Sequence, residues 1–208
     1  MKILITGCAG FLGYHLSKAL LLNKKNYVIG IDNLNDYYSV KLKNKRLNFL
    51  TKKKRFHFQK IDISNYSKLE KIFKKKKIDL IINLAAQAGV RFSINNPRAY
   101  INSNVLGFFN LAELSRIYKI KKIFYASSSS VYGEKKIFPL FEDEKINPKN
   151  IYSLSKKNNE EIAEIFSHYY KINFIGLRLF TIYGEWGRPD MFIIKYIIAA
   201  IKKKINFF

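Results

Sequence analysis

The sequence predicts an α/β fold, a doubly wound parallel sheet with helices on both faces. Three observations lead to this prediction. Short apolar runs of strand type alternate along the chain with stretches whose apolar residues recur at helical intervals. The N-terminus reads as a strand, a glycine-rich turn and a helix in direct succession. Several of the apolar runs end in small or polar residues, as strands do where they border a ligand site.

The predicted elements follow one another in a regular order. Strands are expected at residues 2–6, in the run ending at Asp32, and at 56–61, 78–84, 122–126 and 174–179. Helices are expected at residues 11–22, in a polar, lysine-rich stretch to about Leu50, at 66–75, near 103–118 and after Tyr152. Because strands alternating with helices require right-handed crossovers, the sheet should be parallel.

The glycine-rich turn, "ITGCAGFLG", places Gly7, Gly10 and Gly13 at intervals of three. A helix N-terminus exposes unpaired N–H groups and the positive end of its dipole, so a pyrophosphate can bind there if no side chain blocks it. Plain turn geometry would also use glycine. The spacing therefore favours a phosphate-binding loop without excluding a tight turn.

Asp32 closes the second predicted strand, 19 residues after Gly13. A carboxylate at that strand end can accept hydrogen bonds from both hydroxyls of an adenosine ribose, and it would repel a 2′-phosphate. No arginine or lysine follows directly, since the next residues are Asn33, Leu34 and Asn35. The pattern predicts NAD rather than NADP, the alternative being an ordinary turn aspartate.

Length and composition favour a globular protein of one full core with the beginning of a second unit. The chain has 208 residues, of which 48% are hydrophobic, and it contains no apolar run long enough to span a bilayer. The N-terminus enters a strand at once rather than a basic and then apolar leader. The single cysteine, Cys8, lies inside the glycine loop and cannot pair internally. A cytoplasmic location is expected, with no membrane association and no redox role for Cys8.

The formal net charge of +23 raises the question of nucleic-acid binding. Lysine runs occur at residues 52–55, 74–77 and 202–204. The excess is mostly lysine, scattered along the chain, and no aromatic stacking platform accompanies the runs. We therefore expect no specific nucleic-acid partner, and we predict no metal site. A positive surface would still attract anionic substrates.

The segment "IYSLSKKN" carries the clearest chemical signal. Tyr152 and Lys156 are four residues apart on a predicted helix and so share one face. A free tyrosine has a pKa of roughly 10, and lowering it to near 7 requires about 4 kcal/mol, which a close ammonium and a cationic nicotinamide could supply. Tyr152 would then be a general base at neutral pH. A pair with this spacing also arises by chance in amphipathic helices.

Together, the glycine loop, Asp32, "YASSSSVYG" and the Tyr152–Lys156 pair resemble the extended short-chain dehydrogenase/reductase superfamily. Within it, the chain is most similar to the nucleotide-sugar epimerases of the UDP-glucuronate 4-epimerase branch. The resemblance covers essentially the whole chain, through "DNLNDYY" and "AAQAGVR" to "LRLFTIYGEWGRPDM". It implies a Rossmann-type domain, NAD as cofactor, a nucleotide-sugar substrate and a homodimer paired through the helices after Ser103 and Tyr152.

The resemblance also implies a set of site residues. The catalytic residues would be Ser128, Tyr152 and Lys156. The cofactor would be bound by Gly7, Gly10, Phe11, Leu12, Gly13, Asp32, Asn33, Asp62, Ile63, Leu84, Ala85, Ala86, Ser103, Tyr152, Lys156 and Phe180. The substrate would be bound by Arg91, Ser129, Ser130, Thr181 and Arg188. Asn104 would match a family asparagine that supports the active-site helix.

Ser129 and Ser130 distinguish between the reactions of this superfamily. Dehydratase relatives carry an acid pair at these two positions, and decarboxylating relatives keep a glutamate at the second. This chain has neither carboxylate, which favours oxidation and return without elimination. Ser129, Ser130 and Thr181 would hold the sugar carboxylate as neutral donors. Arg91 and Arg188 suit the diphosphate, with a surface ion pair as the alternative for each.

One departure from the family concerns length. Family members continue beyond residue 208 with a last strand and much of the uridine pocket. We therefore expect an NAD-binding domain at residues 1–184 and only the beginning of a substrate-binding region at residues 185–208. The leading hypothesis is a nucleotide-sugar 4-epimerase in truncated or split form. A non-catalytic dinucleotide-binding remnant and a related dehydratase or decarboxylase are the alternatives.

Overall fold

A computed structural model describes residues 1–202. Within this range six strands form one parallel sheet in the order β3-β2-β1-β4-β5-β6. The strands are β1 (Lys2–Thr6), β2 (Tyr27–Asp32), β3 (Phe56–Lys60), β4 (Leu80–Asn83), β5 (Lys122–Ala126) and β6 (Asn173–Leu177). The chain runs outward from β1 to β3 and then returns to start β4 on the other side of β1. The predicted doubly wound parallel sheet is confirmed.

Helices cover both faces of the sheet. They are α1 (Phe11–Leu20), α2 (Val40–Thr51), α3 (Tyr66–Lys75), α4 (Val90–Asn95), α5 (Pro97–Tyr100), α6 (Gly107–Ile117), α7 (Ile151–Tyr170) and α8 (Phe192–Ile201). A π-helical turn at Ile101–Leu106 leads into α6, and a 3-10 turn covers Ser129–Tyr132. The sequence did not predict α4, α5 or α8, and three predicted strands are one to three residues shorter in the structure.

The core lies on both sides of the central strand because alternate residues of β1 face opposite ways. Leu4 belongs to a cluster with Leu69, Ile81 and Leu111, under α3 and α6. Ile3 and Ile5 belong to a second cluster, under α1 and α2. Burial on both faces explains why β1, β2 and β4 are almost continuously apolar.

Local signals explain where the longer helices begin. The side chain of Asn150 accepts from the backbone N–H of Ser153, and the hydroxyl of Ser153 accepts from the N–H of Asn150. This reciprocal cap sets the start of α7 and hence the position of its first turn. Asn65 caps α3 by the same kind of side-chain bond, to the N–H of Lys68.

The last part of the described chain is much more exposed to solvent than the first part. Strand β6 is an edge strand without a fully buried residue, and α8 has none either.

Among residues 1–202 no helix combines the length and apolar character needed to cross a bilayer. The predicted boundary at residue 184 and the cytoplasmic location stay predictions. The lysine run at 202–204 and the predicted region 185–208 extend beyond the described residues.

Candidate active site

A cleft of about 820 Å³ opens at the carboxyl ends of the strands, beside the neighbouring strands β1 and β4. This is the switch point at which doubly wound sheets bind ligands, because the loops on its two sides turn away in opposite directions. All the residues predicted above for cofactor binding, substrate binding and catalysis line this cleft. These residues share one cleft because they lie at the ends of neighbouring strands and helices.

The glycine loop connects β1 to α1 at the base of the cleft. Gly7 has φ +69°, and a Cβ there would lie 2.8 Å from the backbone nitrogen of Ala85, just after β4. A Cβ at Gly13 would overlap the carbonyl oxygen of Gly7. These two glycines therefore allow close packing of backbone on backbone. Gly10 is different, because it precedes the first helical residue and leaves the helix end free of any side chain.

The N-terminus of α1 has the properties of an anion site. No side chain caps it. Within the described chain no acceptor reaches the backbone N–H groups of Phe11 and Leu12. Unpaired N–H groups at the positive end of a helix dipole suit a pyrophosphate. The two interpretations that the glycine spacing left open are thus compatible, since the observed turn is tight and its helix end has the features that suit an anion.

Asp32 ends β2 beside this loop and is almost completely buried. Its carboxylate accepts hydrogen bonds from the backbone N–H of Ala9 (3.1 Å) and of Leu34 (2.8 Å). Burial raises the pKa of Asp32, while these N–H groups and the nearby ammonium of Lys43 act in the opposite direction. The two bonds leave further lone pairs on the carboxylate for ribose hydroxyls.

Lys43 is a cleft residue that the sequence analysis missed. It comes from α2, eleven positions after Asp32, and its ammonium donates to the backbone oxygen and the side-chain oxygen of Asn35, both at 2.7 Å. Burial lowers its pKa. In the sequence, Lys43 is one of several lysines near the start of a lysine-rich helix, where many lysines are exposed. Nothing in the sequence distinguishes it from them.

Asp62 and its neighbours form the far wall of the predicted adenosine region. Asn33 donates to Asp62 at 2.8 Å, and both the N–H and the hydroxyl of Ser64 donate to the same carboxylate. Partial burial would raise the pKa of Asp62, but these hydrogen bonds outweigh it and lower the pKa. Asp62 therefore stays ionised and holds Asn33 in place.

The catalytic candidates meet on the other side of the cleft. Tyr152 lies in the first turn of α7, and Lys156 follows one turn later with its ammonium 2.7 Å from the backbone oxygen of Ala126. Complete burial lowers the pKa of Lys156 to about 8. The hydroxyl of Ser128, at the end of β5, lies 2.9 Å from that of Ser130. Tyrosine, lysine and serine thus border one space.

Two polar clusters, one centred on the buried Asn104 and one on the partly buried Glu160, support this side of the site. Asn104, in the π-helical turn, donates to the hydroxyl of Ser155 on α7 (2.9 Å) and accepts from the N–H of Gln87 (2.7 Å). Glu160 binds Arg178 through two hydrogen bonds of 2.9 and 3.0 Å and accepts a short one from Ser127. The second cluster joins α7 to the ends of β5 and β6, and no sequence pattern predicted it.

The two predicted substrate arginines differ in their surroundings. Arg188 pairs with Asp190 through two hydrogen bonds, and Asp190 also accepts from the hydroxyl of Tyr37 at 3.2 Å. The ion pair considered as an alternative for Arg188 is therefore present, although Arg188 also lines the cleft. Arg91, at the start of α4, is exposed at the cleft rim.

This combination is typical of one class of protein, the doubly wound dinucleotide-binding domains that carry a tyrosine–lysine pair in the same cleft. Comparison with known proteins agrees. The sequence profile of the NAD dependent epimerase/dehydratase family matches residues 3–207, so the chain belongs to that family. NAD, the cofactor predicted from Asp32, is the cofactor in the family's description.

Individual relatives place the chain more closely within the family. It is 50% identical over 202 residues to Protein CapI of Staphylococcus aureus, covering 97% of this chain and 60% of the relative. It is 44% identical to a UDP-glucuronate 4-epimerase of Thermodesulfobacterium geofontis, covering 97% and 62%. A UDP-glucuronic acid 4-epimerase structure from Bacillus cereus, in complex with UDP-glucuronic acid and NAD, matches with a TM-score of 0.92 and 36% identity, covering 98% of this chain and 64% of that one. The chain thus spans somewhat less than two thirds of these proteins.

Proposed function

We propose that the chain is the NAD-binding and catalytic part of a nucleotide-sugar 4-epimerase that interconverts UDP-glucuronate and UDP-galacturonate. The observation that carries this proposal is one cleft bordered by Ser128, Tyr152 and Lys156, with serines rather than carboxylates at positions 129 and 130. The similarity to UDP-glucuronate 4-epimerases supports the choice of substrate.

Each of the three side chains has a distinct task in this proposal. Tyr152 removes the proton from the sugar O4, and Ser128 hydrogen-bonds the same oxygen. Lys156 favours the ionised form of Tyr152 by its positive charge. NAD, when bound, supplies reversible oxidation at C4. A rotation of the 4-keto sugar before its reduction inverts the configuration.

The serines at 129 and 130 suit a uronic acid for a chemical reason. The oxidised sugar is a β-keto acid, which readily loses carbon dioxide. Neutral donors such as Ser129, Ser130 and the exposed Thr181 can bind the carboxylate without supplying an acid or a base for elimination. A carboxylate at either serine position would repel the sugar carboxylate or promote a different reaction.

We also propose that the protein pairs with a second copy through α6 and α7. These helices pack against each other and expose several large apolar side chains, including Phe109, Ile165 and Tyr169. Sedimentation should show a dimer, and Ile165→Glu should shift it toward monomer. A folded wild-type protein that remains monomeric at every concentration would contradict this proposal.

The alternative of a non-catalytic dinucleotide-binding protein is favoured by one feature, the exposed surface of β6 and α8. Turnover of UDP-glucuronate separates the two functions. The assay should use the longest natural form of the protein, with product identified by chromatography and carbon dioxide release measured in parallel. UDP-galacturonate as the main product supports the epimerase. A pentose nucleotide with carbon dioxide would support a decarboxylase, and NAD binding without turnover would support the non-catalytic alternative.

A further inference from the structure

Arg46 is a buried charge that the proposed reaction does not use. It lies on α2 with none of its surface exposed, among the largest side chains that are completely buried. It is absent from the cleft lining, so it touches neither the predicted cofactor nor the substrate space directly. Burying a guanidinium costs free energy unless its N–H groups find hydrogen-bond acceptors. The partners of Arg46 therefore indicate which parts of the chain this buried side chain connects.

The partners of Arg46 come from three separate parts of the chain. One terminal nitrogen donates to the backbone oxygen of Ala9 (2.9 Å) and to the hydroxyl of Tyr38 (2.8 Å). The other donates to the backbone oxygens of Trp186 (2.5 Å) and Gly187 (3.3 Å). Arg46 thus joins the glycine loop to a segment about 140 positions later in the sequence. In the described chain it forms no ion pair, and its Nε has no hydrogen-bond partner.

The distant segment, residues 184–190, is here called the closing segment. It runs beside the N-terminal turns of α1, where the oxygen of Glu185 lies 2.8 Å from His15 Nε2. The ring of Trp186 packs 5.9 Å from Tyr14 and 5.5 Å from Phe49, between centroids. At its far end Arg188 and Asp190 line the cleft. The closing segment therefore borders the space at the N-terminus of α1 that suits a pyrophosphate.

We propose that Arg46 is a positioning residue that fastens the closing segment to the glycine loop and thereby controls how slowly the dinucleotide leaves. This inference rests on the proposed function only in taking NAD as the ligand of the cleft. The planar guanidinium suits the task because its fork of donors reaches carbonyls on two segments at once. An arginine with a carboxylate partner would not need these main-chain acceptors.

The inference makes a kinetic prediction. If the closing segment must move for the dinucleotide to leave, loosening it should raise the dissociation rate more than it lowers the association rate. Arg46→Met removes all four hydrogen bonds and keeps an unbranched apolar stem. We expect NADH to dissociate at least about tenfold faster, the effect of losing one hydrogen bond from a charged donor. Arg46→Lys keeps the charge but not the fork, and should lie between wild type and Arg46→Met.

Arg55 provides a matched control. It too donates to backbone oxygens, those of Leu21, Asn23 and Asn26, but at the amino-terminal end of β3 and away from the cleft lining. Arg55→Met should lower the melting temperature without changing NADH release. This contrast separates a positioning role from general loss of stability. Trp186→Ala, which loosens the closing segment without removing a buried charge, should also speed release and covers the case in which Arg46→Met does not fold.

The experiment is stopped-flow displacement of bound NADH by excess NAD, followed by NADH fluorescence, on the four variants and wild type. Faster release in Arg46→Met and Trp186→Ala, but not in Arg55→Met, supports the inference. Unchanged release in Trp186→Ala and Arg46→Lys, or equal acceleration in Arg55→Met, would overturn it. A wild-type chain that binds no NADH would overturn the NAD-dependent function as well. Slow release that is insensitive to Arg46 and Trp186 would leave that function intact.

Discussion

The two ends of the cleft are built differently. At the dinucleotide end, β1 and β2 are buried on both faces, and Ile3, Leu4 and Ile5 have no exposed surface. At the end where a sugar would lie, β6 forms an open edge, and Phe180 is 57% exposed and Phe192 78% exposed. The dinucleotide end is therefore fully packed, whereas the substrate end presents apolar surface to solvent.

This difference indicates that cofactor binding and turnover have separate structural requirements. The dinucleotide end needs only the sheet, the glycine loop and the first helices. At the substrate end β6 and α8 are largely exposed, and the chain spans 60% to 64% of the relatives described above. Variants at each end should accordingly affect one property and spare the other.

Tyr152→Phe should produce the largest effect, and only on turnover. It removes the hydroxyl that would take the sugar proton while keeping the ring, which packs edge-on against Tyr100 at 6.1 Å. We expect interconversion of UDP-glucuronate and UDP-galacturonate to slow by about 10²–10⁴-fold, the usual contribution of a general base. The measurement is the initial rate in the longest natural form of the protein.

NAD binding is the control for this variant, because the two ends should respond independently. Calorimetric titration should give nearly the same affinity for wild type and Tyr152→Phe. Equal turnover in the two proteins would mean that Tyr152 is not the base. Loss of NAD binding in Tyr152→Phe would show that the two ends are not separable.

Lys156→Met tests whether burial lowers the pKa of Lys156. The test is how the stability of the folded protein depends on pH. Burial lowers the pKa of Lys156 from 10.5 to about 8, so between these values the unfolded chain binds a proton that the folded chain has lost. Wild-type stability should therefore rise with pH from about 8 to about 10.5, by about 3 kcal/mol relative to Lys156→Met.

Urea unfolding at several pH values measures this difference. Lys157→Met, at the neighbouring and partly exposed position on α7, controls for removing a lysine from the helix. If the stability difference between wild type and Lys156→Met stayed constant across this pH range, the lowered pKa of Lys156 would be wrong.

Gly13→Ala and Gly10→Ala test whether the two glycines have different roles, one in packing and the other in cofactor binding. A Cβ at Gly13 would overlap the Gly7 carbonyl oxygen, so we expect a loss of roughly 1–3 kcal/mol in the free energy of unfolding. At Gly10 the nearest atom to a Cβ is the same oxygen at 3.0 Å, so we expect a smaller loss in the free energy of unfolding. Gly10→Ala should instead weaken NAD binding, because its methyl group lies at the open end of α1. Urea unfolding and calorimetry on both variants test this, and equal destabilisation would contradict it.

Asp32→Ala should have the smallest effect, a change in cofactor preference. Wild type should bind NAD more tightly than NADP, because the carboxylate would meet the 2′-phosphate with like charge. Removing it leaves Lys43 close by, so the preference should fall by about tenfold, or about 1.4 kcal/mol. Titration of both cofactors into wild type, Asp32→Ala and Asp32→Asn measures this. Equal affinity of wild type for the two cofactors would overturn the role assigned to Asp32.

The sheet, the glycine loop with Asp32, and a tyrosine and lysine on one helix face could all be predicted from the sequence alone. These features depend on short-range patterns: the apolar runs of the strands, glycines three apart, and a tyrosine and a lysine one helical turn apart. Such spacings are set by the geometry of strands and helices, so they can be recognised before the chain is folded. The carboxyl ends of parallel strands share one edge, which is why the predicted residues line one cleft.

Which charged side chains are removed from solvent, and what each of them binds, could be read only from the tertiary structure. Lys43 binds Asn35 through the local fold between β2 and β3, whereas Arg46 reaches the closing segment and Glu160 joins Arg178 only in the folded chain. In the sequence these residues look like the many exposed lysines, arginines and glutamates around them. Partners separated by up to about 140 positions leave no periodic pattern, because their contact depends on the path of the whole chain between them.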